Sequence, residues 1–117
     1  MLDAKAKELG RLIGQSDEYK AVKRSNDGLG ADASVVTLLK RMEELRTNAQ
    51  RMIEAGEEPS EEMEREMDAL LGQVQPMPTY QAAVSSQENF DKLMMQVNTW
   101  IAEGIKSGAA SPIITLG

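Results

Sequence analysis

Apolar residues recur along this chain at steps of three and four, the repeat that lines one face of an α-helix. The most regular run is Val35, Leu38, Met42, Leu45, Ala49 and Met52, flanked by Val36, Leu39 and Ile53. It predicts a helix from Asp32 to Ala55 whose narrow stripe packs on a partner helix at a shallow angle. Met63, Met67, Leu70 and Val74 repeat the pattern. Tyr80, Ala83, Gln87, Phe90, Met94, Val97, Ile101 and Ile105 repeat it again, widened by Leu93 and Trp100. Near the start, Leu2, Ala6, Leu9 and Ile13 predict a short helix from Asp3 to Ile13, with Asp3 as N-cap. Ser16 caps a second short helix carrying Tyr19, Val22 and the small Ser25.

The breakers between these runs set the topology. Gly14 ends the first helix, and Asn26-Asp27-Gly28-Leu29-Gly30 reads as a stop for the second, its glycines permitting positive φ. In Gly56-Glu57-Glu58-Pro59-Ser60, Gly56 suits a left-handed C-terminal cap and Ser60 an N-cap, with Glu61 and Glu62 in the first turn of the next helix. So short a turn between two striped helices predicts an antiparallel hairpin. Pro76 and Pro78 interrupt the second arm, and Thr79 caps a last long helix to about Lys106. The predicted fold is all-α: a bundle built on this hairpin plus a long C-terminal helix, with short N-terminal helices. Residues 1–106 form the bundle domain, and residues 107–117 a flexible or docking tail.

Composition sharpens the picture. With 117 residues there is room for one domain, and hydrophobic residues make up 41% of it. Only four are aromatic (Tyr19, Tyr80, Phe90 and Trp100), so the apolar content suits thin seams between helices better than a thick core. Val35, Leu38, Met42, Leu45, Met52, Met63, Met67, Leu70, Phe90, Met94, Val97 and Ile101 are the expected seam positions. A monomer would leave part of such stripes wet, which predicts a homodimer or higher oligomer.

Histidine and cysteine are both absent. That removes Ser-His and Cys nucleophile chemistry, Glu-x-x-His di-iron sites, and zinc sites with nitrogen or sulfur ligands. Neither an enzyme nor a cofactor is expected. No run approaches the ~18 apolar residues of a membrane span, and the first residues lack a signal peptide's apolar stretch, so the cytoplasm is the expected compartment. The net charge of −6 is uneven. Residues 1–52 carry ten Lys or Arg against eight Asp or Glu, and residues 53–117 carry three against eleven. An acidic whole argues against nucleic-acid and anionic-membrane partners.

Four features carry a functional and a plainer reading. The acidic run Glu54, Glu57, Glu58, Glu61, Glu62, Glu64, Glu66 and Asp68 is either a solvated helix start, or a knob for a basic partner or a weakly held divalent cation. Met42, Met52, Met63, Met67 and Met94 are core, or they line a groove that accepts a partner helix. Lys20, Lys23, Arg24, Lys40, Arg41, Arg46 and Arg51 pair with neighbours such as Glu43 and Glu44, or form an RNA surface that has only Tyr19 for stacking. In the tail, Ile113, Ile114 and Leu116 after Pro112 are disordered, fold back over a seam, or dock on another protein.

The order of signals resembles the YlbF/YmcA family. It is carried by Leu9-Gly10, Ile13, Ser16-Asp17-Glu18-Tyr19, the heptad helix, Gly56-Glu57-Glu58-Pro59-Ser60-Glu61-Glu62, and Pro78, Tyr80, Phe90, Val97-Asn98 and Ile101. The resemblance spans roughly residues 5 to 105. It implies an oligomeric helical regulator, non-enzymatic, acting through protein–protein contact. In the family's better-known members this role is linked to competence, sporulation, biofilm formation and messenger-RNA processing by ribonuclease Y. Iron–sulfur clusters found in some family complexes do not carry over, since no thiolate ligand exists here. The Gly-rich Asp27–Gly30 segment and the apolar tail depart from the family pattern. The competing expectation is a structural or chaperone-like helical holder that docks through its tail.

Overall fold

The computed structural model describes the backbone of residues 1–116 and the side chains of residues 1–110. Five helices account for nearly all of it: α1 (Leu2–Gly14), α2 (Asp17–Ala31), α3 (Ala33–Glu54), α4 (Glu61–Val74) and α5 (Pro78–Leu116). No strand occurs among the described residues. Together α2 to α5 form one long antiparallel hairpin that bends at mid-length. The outgoing limb is α2 followed by α3; the returning limb is α4 followed by α5. Tyr19 meets Phe90, Ser25 meets Ser86, Asp32 meets Thr79 and Arg41 meets Glu66, a nearly constant antiparallel register from one end to the other.

The predicted α3–α4 hairpin is present, and its turn is built as the residue types dictate. Gly56 has φ +80°, the only positive φ in the described chain. Gly56 N–H donates to the Ile53 carbonyl (3.0 Å) and Glu57 N–H to that of Met52 (2.7 Å), the double bond of a Schellman cap. Ser60 Oγ accepts from Met63 N–H (3.2 Å), opening α4. Between the arms lies the core: Val35, Met42, Leu45, Leu70 and Val74, with Leu29, Leu38, Met77 and Tyr80 packed against it.

Three sequence expectations are corrected. First, α2 runs straight through Gly28 and Gly30, neither of which has positive φ. The two glycines cost helix propensity, but α2 makes the most extensive helix–helix contact in the molecule, with α5, and Leu29 packs on the core. Tertiary contact overrides the local preference. Second, Asp3 and Thr79 cap nothing: Met1 precedes α1, and α5 begins at Pro78, whose missing N–H is harmless in a first turn. Third, α5 continues past Lys106 to Leu116, carrying on through Gly108 and Pro112 although both oppose a helix interior. The side chains of Ile113, Ile114 and Leu116, assigned above to docking, lie outside the described residues.

The last helix also does not complete a bundle over the hairpin arms. It lies along α2, while α3 lies along α4. The result is long and thin, 67 × 37 × 22 Å, with a radius of gyration of 21.4 Å. A compact chain of this length would have about 13 Å.

Glycine substitutions test the corrected boundary. Adding a Cβ at Gly30 meets nothing within 4 Å, so Gly30→Ala should raise stability by about 0.5–1 kcal/mol. Gly56→Ala should lower it by about 1 kcal/mol or more, because its φ is positive. Urea unfolding followed by circular dichroism reads both. A loss of stability in Gly30→Ala would mean that α2 ends where the sequence suggested.

Candidate functional site

Toward the hairpin tip the α3–α4 seam changes character. Val35, Met42, Leu45, Leu70 and Val74 fill it at its base. Nearer the turn the facing residues are the small Ala49 on α3 and the flexible Met63 and Met67 on α4, and these close it incompletely. What remains is an open cleft of about 410 Å³, lined by Leu45, Ala49, Pro59, Met63 and Met67 and edged by Arg46, Glu64 and Asp68. Met63 and Met67 are half-buried, packed on the core from one side and facing the cleft on the other. These two methionines thus belong to the core and also line an open cleft.

Charge is divided unequally around the cleft. Arg46 is engaged by Glu43 at 2.8 Å. Glu64 and Asp68, one helical turn apart on α4, make no ion pair among the described residues. The rim is thus apolar inside and net acidic outside. Of the tip carboxylates, Glu61 pairs with Arg65 at 3.4 Å, while Glu57, Glu58 and Glu62 are exposed. The acidic side chains do not converge: no group of three or more carboxylates among the described residues is placed to hold a metal ion. The cation reading of this run finds no geometry to support it.

Glu66 leaves the acidic run altogether. It takes a bidentate grip from Arg41, with Nε on one oxygen and Nη2 on the other (2.9 Å for the latter), and Arg41 Nη1 reaches Glu44 Oε2 at 3.1 Å. The fork geometry locks α3 to α4 in one register. These hydrogen bonds raise the Arg41 pKa and hold the Glu66 carboxyl below the ordinary glutamate range. Nothing in the sequence singled out this cross-arm pair. Once the hairpin register is known, the two residues fall opposite each other.

The predicted seam residues fall into two separate seams. Val35, Met42, Leu45 and Leu70 are buried in the α3–α4 seam, with Leu38, Met52, Met63 and Met67 half-buried beside them. Phe90 and Met94 are half-buried and Val97 buried on α5. Phe90 meets Tyr19 edge-on, ring centroids 5.6 Å apart at 61°. Between α2 and α5 the contact is close because the facing residues are small. Ser25 Oγ and Ser86 Oγ lie 2.5 Å apart, and each is 3.1 Å from a carbonyl of its own helix, so one hydroxyl donates to the other and the second donates to its helix carbonyl. Ile101 departs from expectation: it is 44% exposed, with Trp100 at 55% and Ile105 at 68%. The stripe is real, but α5 outruns α2, and beyond Val97 no described residue of α5 is buried.

The fold and the cleft define a class: an elongated all-helical hairpin that presents apolar faces and charged side chains along its helices. Residues 2–106 match the family described as control of competence regulator ComK, YlbF/YmcA, and the chain belongs to that family. It is similar to a UPF0342 protein of Leuconostoc citreum, 21% identical over 105 residues that cover 90% of this chain and 89% of that one. It is also similar to UPF0342 proteins of Limosilactobacillus fermentum and Limosilactobacillus reuteri. These are 29% identical over 93 residues (80% and 78% of the two chains) and 22% identical over 101 residues (86% and 82%).

The Arg41–Glu66 clamp makes a prediction with a definite sign. Because the Glu66 pKa is lowered by folding, its stabilisation is present above the ordinary glutamate pKa and fades as pH falls through the lowered value. Glu66→Gln should therefore melt below the parent at pH 7, with the difference closing below about pH 4. Thermal melts across that range check it. A gap that persists at low pH would mean that the substitution damages packing instead.

Proposed function

We propose that this chain is a non-enzymatic regulator that works by gripping a helical segment of a protein partner in the α3–α4 cleft. The observation that carries the reading is the combination at one site of half-exposed Met63 and Met67 with two unpaired rim carboxylates, Glu64 and Asp68. Methionine-lined surfaces adapt to uneven apolar side chains, and an acidic rim selects basic flanks. The preferred ligand is therefore an amphipathic helix with Leu- or Ile-type anchors on one face and Lys or Arg beside them. Membership in a family described by control of a competence regulator supports a regulatory role. The absence of His and Cys, together with titratable groups around the cleft that are solvated and dispersed, supports a non-enzymatic one.

In this reading the hairpin is rigid and the partner supplies the action. Arg41 and Glu66 fix the spacing of the arms, so the cleft is formed before the partner arrives and little ordering cost attends binding. No helix among the described residues is long and apolar enough to cross a membrane. We place the protein in the cytoplasm, and the resemblance to regulators tied to messenger-RNA processing directs the partner search to that machinery.

The test is site-directed. A photo-crosslinking residue in place of Met67 should capture a partner in cells, and the same residue in place of Arg24, on a different helix, should not. Reversing the rim with Glu64→Lys plus Asp68→Lys should weaken that capture by roughly tenfold or more, since two favourable charge contacts become repulsive. Equal capture by the reversed protein would remove the cleft as the binding site.

A further inference from the structure

The sulfur atoms of the cleft carry a chemistry that its apolar neighbours lack. Cysteine is absent, so methionine sulfur is the main target in this chain for a two-electron oxidant. Of the eight methionines, Met63 and Met67 are the two that line the cleft. They lie one turn apart on α4, each half-buried, with one side on the core and the other on open space. We infer that these two residues form an oxidation site whose conversion to sulfoxides by a hydroperoxide switches off the cleft, a regulation that rests on the partner-binding role proposed above.

The step needs access rather than a catalytic group. The thioether sulfur takes one peroxide oxygen: the O–O bond breaks, an S–O bond forms, sulfur is oxidised and the peroxide reduced. The proton on the transferred oxygen moves to the leaving one, which departs as water or an alcohol. The cleft of about 410 Å³ admits such a molecule many times over, whereas Met42, 6% exposed in the core, offers no approach. What changes is polarity. A thioether beside Leu45, Ala49 and Pro59 is apolar and adaptable, but a sulfoxide oxygen requires a hydrogen-bond donor. Among the side chains lining the cleft only Arg46 can donate, and it already holds Glu43 at 2.8 Å. Glu64 and Asp68 are acceptors and repel the new oxygen. In the free protein the sulfoxides turn to water and the hairpin stands. An apolar anchor pressed on them strips that water away, so oxidation and binding oppose each other. By the same linkage, a bound helix covers the sulfurs and slows their oxidation.

The test uses the full chain and a dye-labelled synthetic peptide, with Leu on one helical face and Lys beside it, followed by fluorescence anisotropy. After hydrogen peroxide, peptide mapping by mass spectrometry should find sulfoxides at Met63 and Met67 as well as at the exposed Met1 and Met95. The oxidised parent should keep its helical circular dichroism and bind the peptide roughly tenfold more weakly. Leucine matches methionine in size and cannot be oxidised, so Met63→Leu plus Met67→Leu should bind within about threefold of the parent. That variant should lose nothing to peroxide, although its Met1 and Met95 are still oxidised. Methionine sulfoxide reductase with a dithiol should restore the parent's binding. Met63 and Met67 left unoxidised, an oxidised parent that binds undiminished, or a loss of binding that tracks loss of helix would each overturn the inference and leave the cleft standing. An untreated parent that ignores the peptide would overturn the cleft's role and the inference with it.

Discussion

A single aspartate joins the two halves of the outgoing limb and holds the returning limb against them. Asp32 is the whole linker between α2 and α3, and every hydrogen-bonding group it has is used there. Its N–H donates to the Leu29 carbonyl at 3.1 Å, closing α2, and its carbonyl accepts from Val36 N–H at 3.0 Å, opening α3. Oδ1 accepts from Val35 N–H at 3.4 Å as the helix cap, while Oδ2 accepts from Thr79 Oγ1 at 2.8 Å on α5. One side chain thus ends a helix, starts another and ties the returning limb to both. The bend it imposes separates the molecule into an α2–α5 pair and an α3–α4 pair. Because the pairs sit end to end, neither can cover the other's outer face.

From that separation the functional surfaces follow. A stacked bundle would have closed over Met63 and Met67 and over Trp100, Ile101 and Ile105. The extended form leaves one apolar opening near each end, the first rimmed by Glu64 and Asp68 and the second bare of charge. The interior is correspondingly thin: Val35 and Val74 are the only large side chains fully removed from solvent among the described residues. With so little core, directed contacts such as the Arg41–Glu66 fork and the Ser25–Ser86 pair do much of the work of fixing register. Such contacts define one arrangement better than they add stability, since the ion pair is solvated and the serines would bond to water if unfolded.

Much of the helical plan was legible in the residues. The steps of three and four along Val35 to Met52 and along Phe90 to Val97 locate stripes that are buried or half-buried in the structure. Gly56 and Ser60 announce the turn they make. Where reading failed, the cause was long-range. Gly28 and Gly30 look like a stop only until α5 is known to pack along α2. Ile101 looks buried because periodicity reports which face is apolar, not whether another helix reaches it. Asp32 reads as the start of one helix and Thr79 as the cap of another, and no local rule joins two residues 47 positions apart. The cleft was half visible: its methionines and carboxylates were singled out, but not the fact that Ala49 is too small to close the seam over them.

The central claim is that the helix pairs lie end to end, and the most direct test is the size of the monomer in solution. Small-angle X-ray scattering over a dilution series, extrapolated to zero concentration, measures it. The structure predicts a radius of gyration near its Cα value of 21.4 Å and a distance distribution with a long tail. A value near the ~13 Å of a compact chain would mean that α5 folds over the hairpin arms, closing both the cleft and the stripe.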